Sequence, residues 1–255
     1  MKVVRRILIT GATGAIGGAL AEVYAAPGVE LHLHGRNGAK LAAVAARCVA
    51  LGATVMTHRF DVRDGTALRA WLGDVCANQA LDLVIVNAGM NTDTGPAGEG
   101  EPWDEVEALL DINLKASMAM VHAVLPAMRR RGAGQIALVS SLAGYFGLPV
   151  TPAYCASKAG IKAYGEALRG WLAPEGIRVN VIMPGYVQSP MCEAMPGPKP
   201  FLWQPERAAK FIRRGLEKDR ARISFPFPLN VGTWFLAVLP AAVSLRILGL
   251  LGYRG

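Results

Sequence analysis

The sequence predicts a doubly wound α/β fold: a parallel sheet of about seven strands with helices on both faces. Three observations carry that expectation. Short, apolar, β-rich runs alternate with helix-period segments from Ile7 to Met183. A glycine turn, Gly11-x-x-Gly14-x-x-Gly17, joins the first apolar run to the first helix. Further along, the buried run Ile136-Ala137-Leu138-Val139 leads to Ser141, and a helix beyond it carries Tyr154 and Lys158 one turn apart.

A chain of 255 residues without a linker-like stretch reads as one domain over 1–255. Its four cysteines (Cys48, Cys76, Cys155, Cys192) are far apart, with no metal-type spacing, and read as reduced thiols in a cytoplasmic setting. Lys2, Arg5 and Arg6 before an apolar run imitate a signal peptide, but glycines interrupt that run where a nucleotide-binding turn needs them. The net charge of +8 favours anionic partners.

Taken in order, Ile7-Leu8-Ile9 is the first strand, and the helix after the glycine turn runs through Tyr24. Glycines there let a pyrophosphate approach the backbone, and the helix N-terminus supplies free N–H groups. Val29 to His34 is the second strand, Ala39 to Leu51 a helix, and Thr54 to His58 the third strand. A helical run to Asn78 follows Arg63-Asp64; Asp61 has the N-cap of that helix as its structural alternative. Leu81 to Val86 is the fourth strand, and 91–102 is a Gly- and Pro-rich loop. A long helix from Trp103 to Arg130 carries Asn113, a poor mid-helix residue. Gly144 to Pro152 is a pocket loop, Ala153 to Leu172 the helix bearing Tyr154, and Ile177 to Met183 the sixth strand. Pro- and Met-rich residues, about 188–204, fit a mobile lid.

The phenol of Tyr154 titrates near ~10 when unperturbed, and a neighbouring cation lowers that value. Tuned in this way it can serve as a general acid or base. Together with the glycine turn, Ser141, Tyr154 and Lys158 at this spacing resemble the short-chain dehydrogenase/reductase family over roughly residues 5–195. The resemblance implies a Rossmann-type domain that moves hydride between a nicotinamide cofactor and a carbonyl or secondary alcohol. It makes Tyr154 the proton donor and gives Lys158 the tasks of lowering its pKa and holding the nicotinamide ribose. Ser141 orients the carbonyl, and Asn113, in Asp111-Ile112-Asn113-Leu114, sustains a proton relay.

The same resemblance puts the cofactor against Gly11, Thr13, Gly14, Ala15, Ile16 and Gly17, then Arg36 and Asn37, then Asp61 and Val62. It continues through Asn87-Ala88-Gly89, Tyr154, Lys158, Pro184, Gly185, Val187 and Ser189. Ala15 stands where the short branch of the family usually has a glycine, and the resulting spacing also fits a branch acting on nucleotide sugars. NAD-using members end the second strand in an acidic residue; here Gly35-Arg36 stands there. A guanidinium matches a 2′-phosphate that a carboxylate would repel, so NADP(H) is the expected cofactor.

Small-molecule carbonyl reduction is therefore the expected activity, in a homodimer or homotetramer. The alternatives are reduction of an oxidised sugar in glycan synthesis and a non-catalytic NADP-binding sensor. The end of the chain departs from the family's usual close. A basic run (Arg207 to Arg222) precedes an apolar tail (Phe225 to Tyr253) that Pro226, Pro228 and Pro240 break. Cations beside apolar helices suggest peripheral attachment to the inner face of an anionic membrane; the structural alternative is a tail covering the pocket or a dimer interface. Without interleaved aromatics, the basic run is not expected to bind nucleic acid.

Overall fold

The computed structural model describes residues 4–253 apart from 78, 96, 97 and 196. The expected helix end at Asn78, and Lys2, lie outside the described residues. Seven parallel strands form one sheet in the order β3-β2-β1-β4-β5-β6-β7. They are β1 (Arg6–Ile9), β2 (Glu30–His34), β3 (Thr54–His58), β4 (Leu83–Val86), β5 (Gly134–Val139), β6 (Ile177–Pro184) and β7 (Arg222–Phe225). The helices are α1 (Ala15–Tyr24), α2 (Gly38–Ala50), α3 (Gly65–Ala77), α4 (Trp103–Leu110), α5 (Ser117–Arg131), α6 (Pro152–Leu172), α7 (Pro190–Ala194), α8 (Pro205–Glu217), α9 (Leu229–Val238) and α10 (Ala241–Leu250).

Strands buried on both faces read as unbroken apolar runs, and β1, β4 and β5 do so here because helices cover the sheet twice. On one face Leu20, Leu41 and Ile212 of α1, α2 and α8 pack on Ile7, Leu31 and Ile85. On the other, Leu72, Val121 and Leu168 of α3, α5 and α6 pack on Val84, Ile136 and Val179. Strand order reverses between β1 and β4, which opens a crevice at the carboxyl ends of the strands. The expected doubly wound fold is borne out.

Four details differ from the expectation. The helix 103–131 is broken by a π-helical turn, Asp111–Ala116, where Asn113 sits. By length and composition this rod is apolar enough to cross a membrane, but it belongs to the core beneath β4 and β5. β4 begins two residues later than expected, since Asp82 spends its carboxylate on the Arg5 and Arg6 amides and on Arg131. The seventh strand is Arg222–Phe225, between the basic run and the apolar tail, with Phe225 fully buried on Trp203 and Phe211. The lid is tied at its base: Gln188 N donates to Trp203 O at 2.9 Å, and Trp203 N donates to Tyr186 O at 3.0 Å.

The tail folds as an apolar helical pair. Leu236, Leu248 and Tyr253 face inward onto Phe146 and Leu148, while Phe227, Trp234, Val238 and Leu250 stay exposed. The expectation set pocket cover against an outward apolar surface; the two helices divide those roles between their faces.

Candidate active site

β5 delivers two serines to the crevice. Ser140 Oγ donates to the Lys158 carbonyl at 2.7 Å, tying the strand end to α6. Ser141 Oγ accepts from Ala143 N at 3.1 Å and starts the tight turn Leu142–Gly144. Pro152 sits in the first turn of α6, where its missing N–H costs nothing. Tyr154 and Lys158 follow on one face, with Lys158 Nζ 5.6 Å from the centre of the Tyr154 ring. The Ser141 hydroxyl donates to the Pro184 carbonyl at 3.5 Å and acts on the phenol of Tyr154. All three line one cavity of about 1240 Å³.

Asn113 stands one layer behind. Its amide accepts from Met90 N at 2.9 Å and donates to Met90 O and Ser157 Oγ, both at 3.0 Å. A Cβ on Gly89 would meet Asn113 Oδ1 at 3.1 Å and Lys158 Nζ at 3.4 Å, so these two groups flank Gly89. The wide π turn is what holds an asparagine here without spending its amide on the helix.

Electrostatics differ from the sequence expectation at one point. Burial pushes the Tyr154 phenol up to about 12, against a lowering by the Ser141 hydroxyl. Burial also brings the Lys158 ammonium down to about 8. The lysine turns its Nζ to the Val139 carbonyl at 3.1 Å, so in this arrangement desolvation outweighs any cationic help to the phenol.

The glycine turn forms the neighbouring wall. Gly14 caps α1, and Gly11, Thr13, Ala15 and Ile16 line the cavity with it. Gly17 lies beneath: a Cβ there would stand 2.3 Å from Gly11 O and 2.7 Å from Asn87 Nδ2. Asn87 Nδ2 in turn donates to Thr10 O at 3.0 Å and Gly11 O at 3.2 Å, fixing the turn to the end of β4. This is a cradle that any side chain would fill, at a helix N-terminus that attracts anions; it fits a dinucleotide pyrophosphate.

Beyond β2 the cavity is cationic. Arg36, Lys40 and Arg59 line it with Asn37, Asp61 and Val62. Arg36 Nη1 stands 3.8 Å from Asp61 Oδ2, and Arg59 Nε donates to Arg36 O at 3.3 Å. A Cβ on Gly35 would sit 2.5 Å from Thr13 Cγ2, so the acidic residue of NAD users does not fit here unless Thr13 moves. Asp61 binds Arg63, which holds its carboxyl below the usual range. The cap of α3 is Asp64, through Thr66 N and Ala67 N at 3.0 Å. Asn37 caps α2 by accepting from Lys40 N at 3.0 Å.

Ala88, Pro184, Gly185, Val187 and Ser189 complete the wall near Tyr154. Ser189 also caps the short α7. Of the residues expected at the site, Gly17 and Asn113 stand behind the lining, and the rest are on it. Sequence reasoning missed Arg59, which only the β2–β3 pairing brings beside Arg36, and Lys40, four residues beyond Arg36 in the first turn of α2. It expected the pocket loop, the lid and, as an alternative, the tail at the pocket without naming the apolar side chains they bring: Phe146, Leu148 and Val150 from the loop, Met191 from the lid, and Leu236 and Leu248 from the tail. There Tyr253 OH lies 2.8 Å from Tyr186 OH and donates to Pro198 O, also at 2.8 Å, closing lid onto tail.

The short chain dehydrogenase family model matches residues 5–197. An oxidoreductase of Myxococcus xanthus (strain DK1622) is 37% identical over 238 residues, covering 92% of this chain and 93% of its own. A 3-oxoacyl-[acyl-carrier protein] reductase from Brucella melitensis superposes with TM-score 0.73 at 28% identity, over 86% of this chain and 88% of that one. A short-chain dehydrogenase from Sphingobium yanoikuyae, solved with NADPH, has the same fold with TM-score 0.80 at 24% identity, over 96% and 94%. Family match and site geometry agree: this chain belongs to the short-chain dehydrogenase family and is a nicotinamide-dependent oxidoreductase.

Proposed function

We propose that this chain reduces a bulky, apolar carbonyl compound with NADPH. The observation that carries the reading is the make-up of one cavity, with Ser141, Tyr154 and Lys158 between a cationic end and an apolar end. When bound, the nicotinamide supplies hydride to the carbonyl carbon. Tyr154 gives its proton to the carbonyl oxygen, and Ser141 holds that oxygen by hydrogen bond. Lys158 positions the cofactor ribose, and Asn113 fixes the Gly89–Met90 backbone beside it, on the relay side.

Arg36, with Arg59 and Lys40 nearby, favours the 2′-phosphate over a bare ribose. The apolar lining speaks against an oxidised sugar, which would leave its hydroxyls without partners. A complete Ser-Tyr-Lys-Asn set speaks against a non-catalytic sensor. A cytoplasmic setting and a homodimer or homotetramer belong to the same proposal.

The test is NADPH oxidation across ketones of graded size. Turnover should rise with apolar bulk, and Tyr154→Phe should lower kcat by roughly 10²–10⁴-fold while leaving NADPH affinity intact. A Tyr154→Phe protein with near-normal turnover would overturn the assignment.

A further inference from the structure

Large exposed apolar side chains are concentrated on one part of the molecule. Of the sixteen among the described residues, twelve fall between Met191 and Leu251. Phe227 and Leu250 are the most open, at 78% and 82% exposure. Phe227 stands just before α9 and Leu250 ends α10; with Trp234 and Val238 of α9 they are exposed, while Leu236 and Leu248 of the same pair line the apolar end of the cavity. The pair is thus one helix thick and apolar on both sides. A helix that is apolar all round belongs in an apolar medium on both sides, and here only the inner side has one.

Charge selects the occupant. From Arg220 to Tyr253 the chain has three arginines and no Asp or Glu. Arg222 is paired with Glu166 on the sheet side. Arg246, exposed on α10, has no ion pair among the described residues. A two-fold contact with a second copy would set this patch against itself, cation facing cation with no acid to answer it. An anionic leaflet offers both an apolar medium for the side chains and counter-charge for the arginine. Trp234 is of the type that sits well at a lipid headgroup boundary.

We propose that the outer face of α9–α10 docks on the surface of an anionic phospholipid bilayer, so that the apolar wall of the cavity lies against lipid. This docking is independent of the reduction proposed above and is read without turnover.

The test is flotation of the full chain with phosphatidylcholine vesicles and with vesicles also containing phosphatidylglycerol, at low and high salt. The protein should float with the anionic vesicles, less so at high salt. Phe227→Ser combined with Leu250→Ser should lower the partition by roughly tenfold or more. Arg246→Gln should lower it about fivefold, on anionic vesicles only. All three positions are exposed, so NADPH binding and Tm should not move. Two results would overturn the proposal. One is a wild-type protein that ignores anionic vesicles at low salt. The other is a double variant that floats unchanged but loses an oligomer by light scattering, which would make the face a subunit contact.

Discussion

Lys158 is a case in which the site should cost the fold stability, and Lys158→Met measures how much. Lys158 is 5% exposed, and among the described residues only the Val139 carbonyl accepts a hydrogen bond from its ammonium. Burial brings it from 10.5 down to about 8. At 1.36 kcal/mol per pH unit, keeping the charge inside at pH 7 costs about 3 kcal/mol. Met is close in length and wholly apolar, so it removes the charge without opening a large void. The Val139 carbonyl loses its partner, a cost of about 1 kcal/mol. The variant should therefore be more stable at pH 7 by about 2 kcal/mol, a rise in Tm of roughly 4–8 °C. The pH dependence follows from the lowered pKa. Between about 8 and 10.5 the unfolded lysine holds its proton more often than the folded one, so wild-type stability rises with pH there. The gap between the two proteins should be constant below pH 8, close between about pH 9 and 10, and reverse by about 1 kcal/mol at pH 10.5, where the wild type has regained about 3 kcal/mol. Thermal unfolding of both proteins at pH 7, 9 and 10.5 reads this directly, with the variant lacking turnover. A Lys158→Met protein that is less stable at pH 7, or a gap that ignores pH, would refute the reasoning.

Two further outcomes follow from the structure. Arg36→Ala with Arg59→Ala should weaken NADPH binding by roughly 10- to 150-fold, the worth of one charge-assisted hydrogen bond, and leave NADH unchanged by calorimetry. Gly35→Asp alone should impair both cofactors because of Thr13 Cγ2, and adding Thr13→Ser should restore NADH binding. The second outcome concerns His32, His34 and His58, packed with Phe60 and Trp71 at the sheet edge near Arg6, Glu30 and Asp61. Burial holds all three below their usual value, His58 at about 4, and a ring nitrogen of each is buried without a partner among the described residues. Their neutral forms suit the fold above pH 6.5, and stability should fall as pH drops from 6.5 toward 4, by up to about 1.4 kcal/mol per pH unit for one ring. His58→Phe should flatten that fall in a Tm-against-pH series; an equally steep fall in the variant would count against it.

The parts of this protein that could be read in the sequence are those whose physics is local. A glycine turn between strand and helix, and a Tyr and a Lys one helical turn apart, state their geometry within a few residues. The β3-β2-β1 neighbourhood is not local, so Arg59 on one strand end could not be joined to Arg36 on another until the sheet order was known. The π turn was hidden because Asp111–Ala116 has an ordinary helical composition; only the awkwardness of Asn113 pointed to it. β7 was masked by its flanks, a cationic run before it and an apolar run after it. The tail could be seen to need burial, but a periodicity of apolar residues does not say which face meets protein.

The two perturbed groups at the centre of the site also bear on how the proposed reaction depends on pH. A phenol at about 12 keeps its proton throughout the neutral range, and giving that proton to a carbonyl oxygen leaves a phenolate. At pH 7 the phenolate costs about 7 kcal/mol unless a positive charge offsets it, and the cost is the same in either direction of the reaction. None of Arg36, Lys40 and Arg59 is among the groups that shift the phenol. Lys158, brought down to about 8 by burial and donating to the Val139 carbonyl, still carries most of its charge at pH 7 and loses it above pH 8. Turnover by the proposed route should therefore fall as pH rises through about 8, because the ammonium beside the phenol is lost there while the phenol itself stays protonated. Initial rates of carbonyl reduction from about pH 7 to 9.5 measure that fall; a kcat that does not change across the range would reverse the argument.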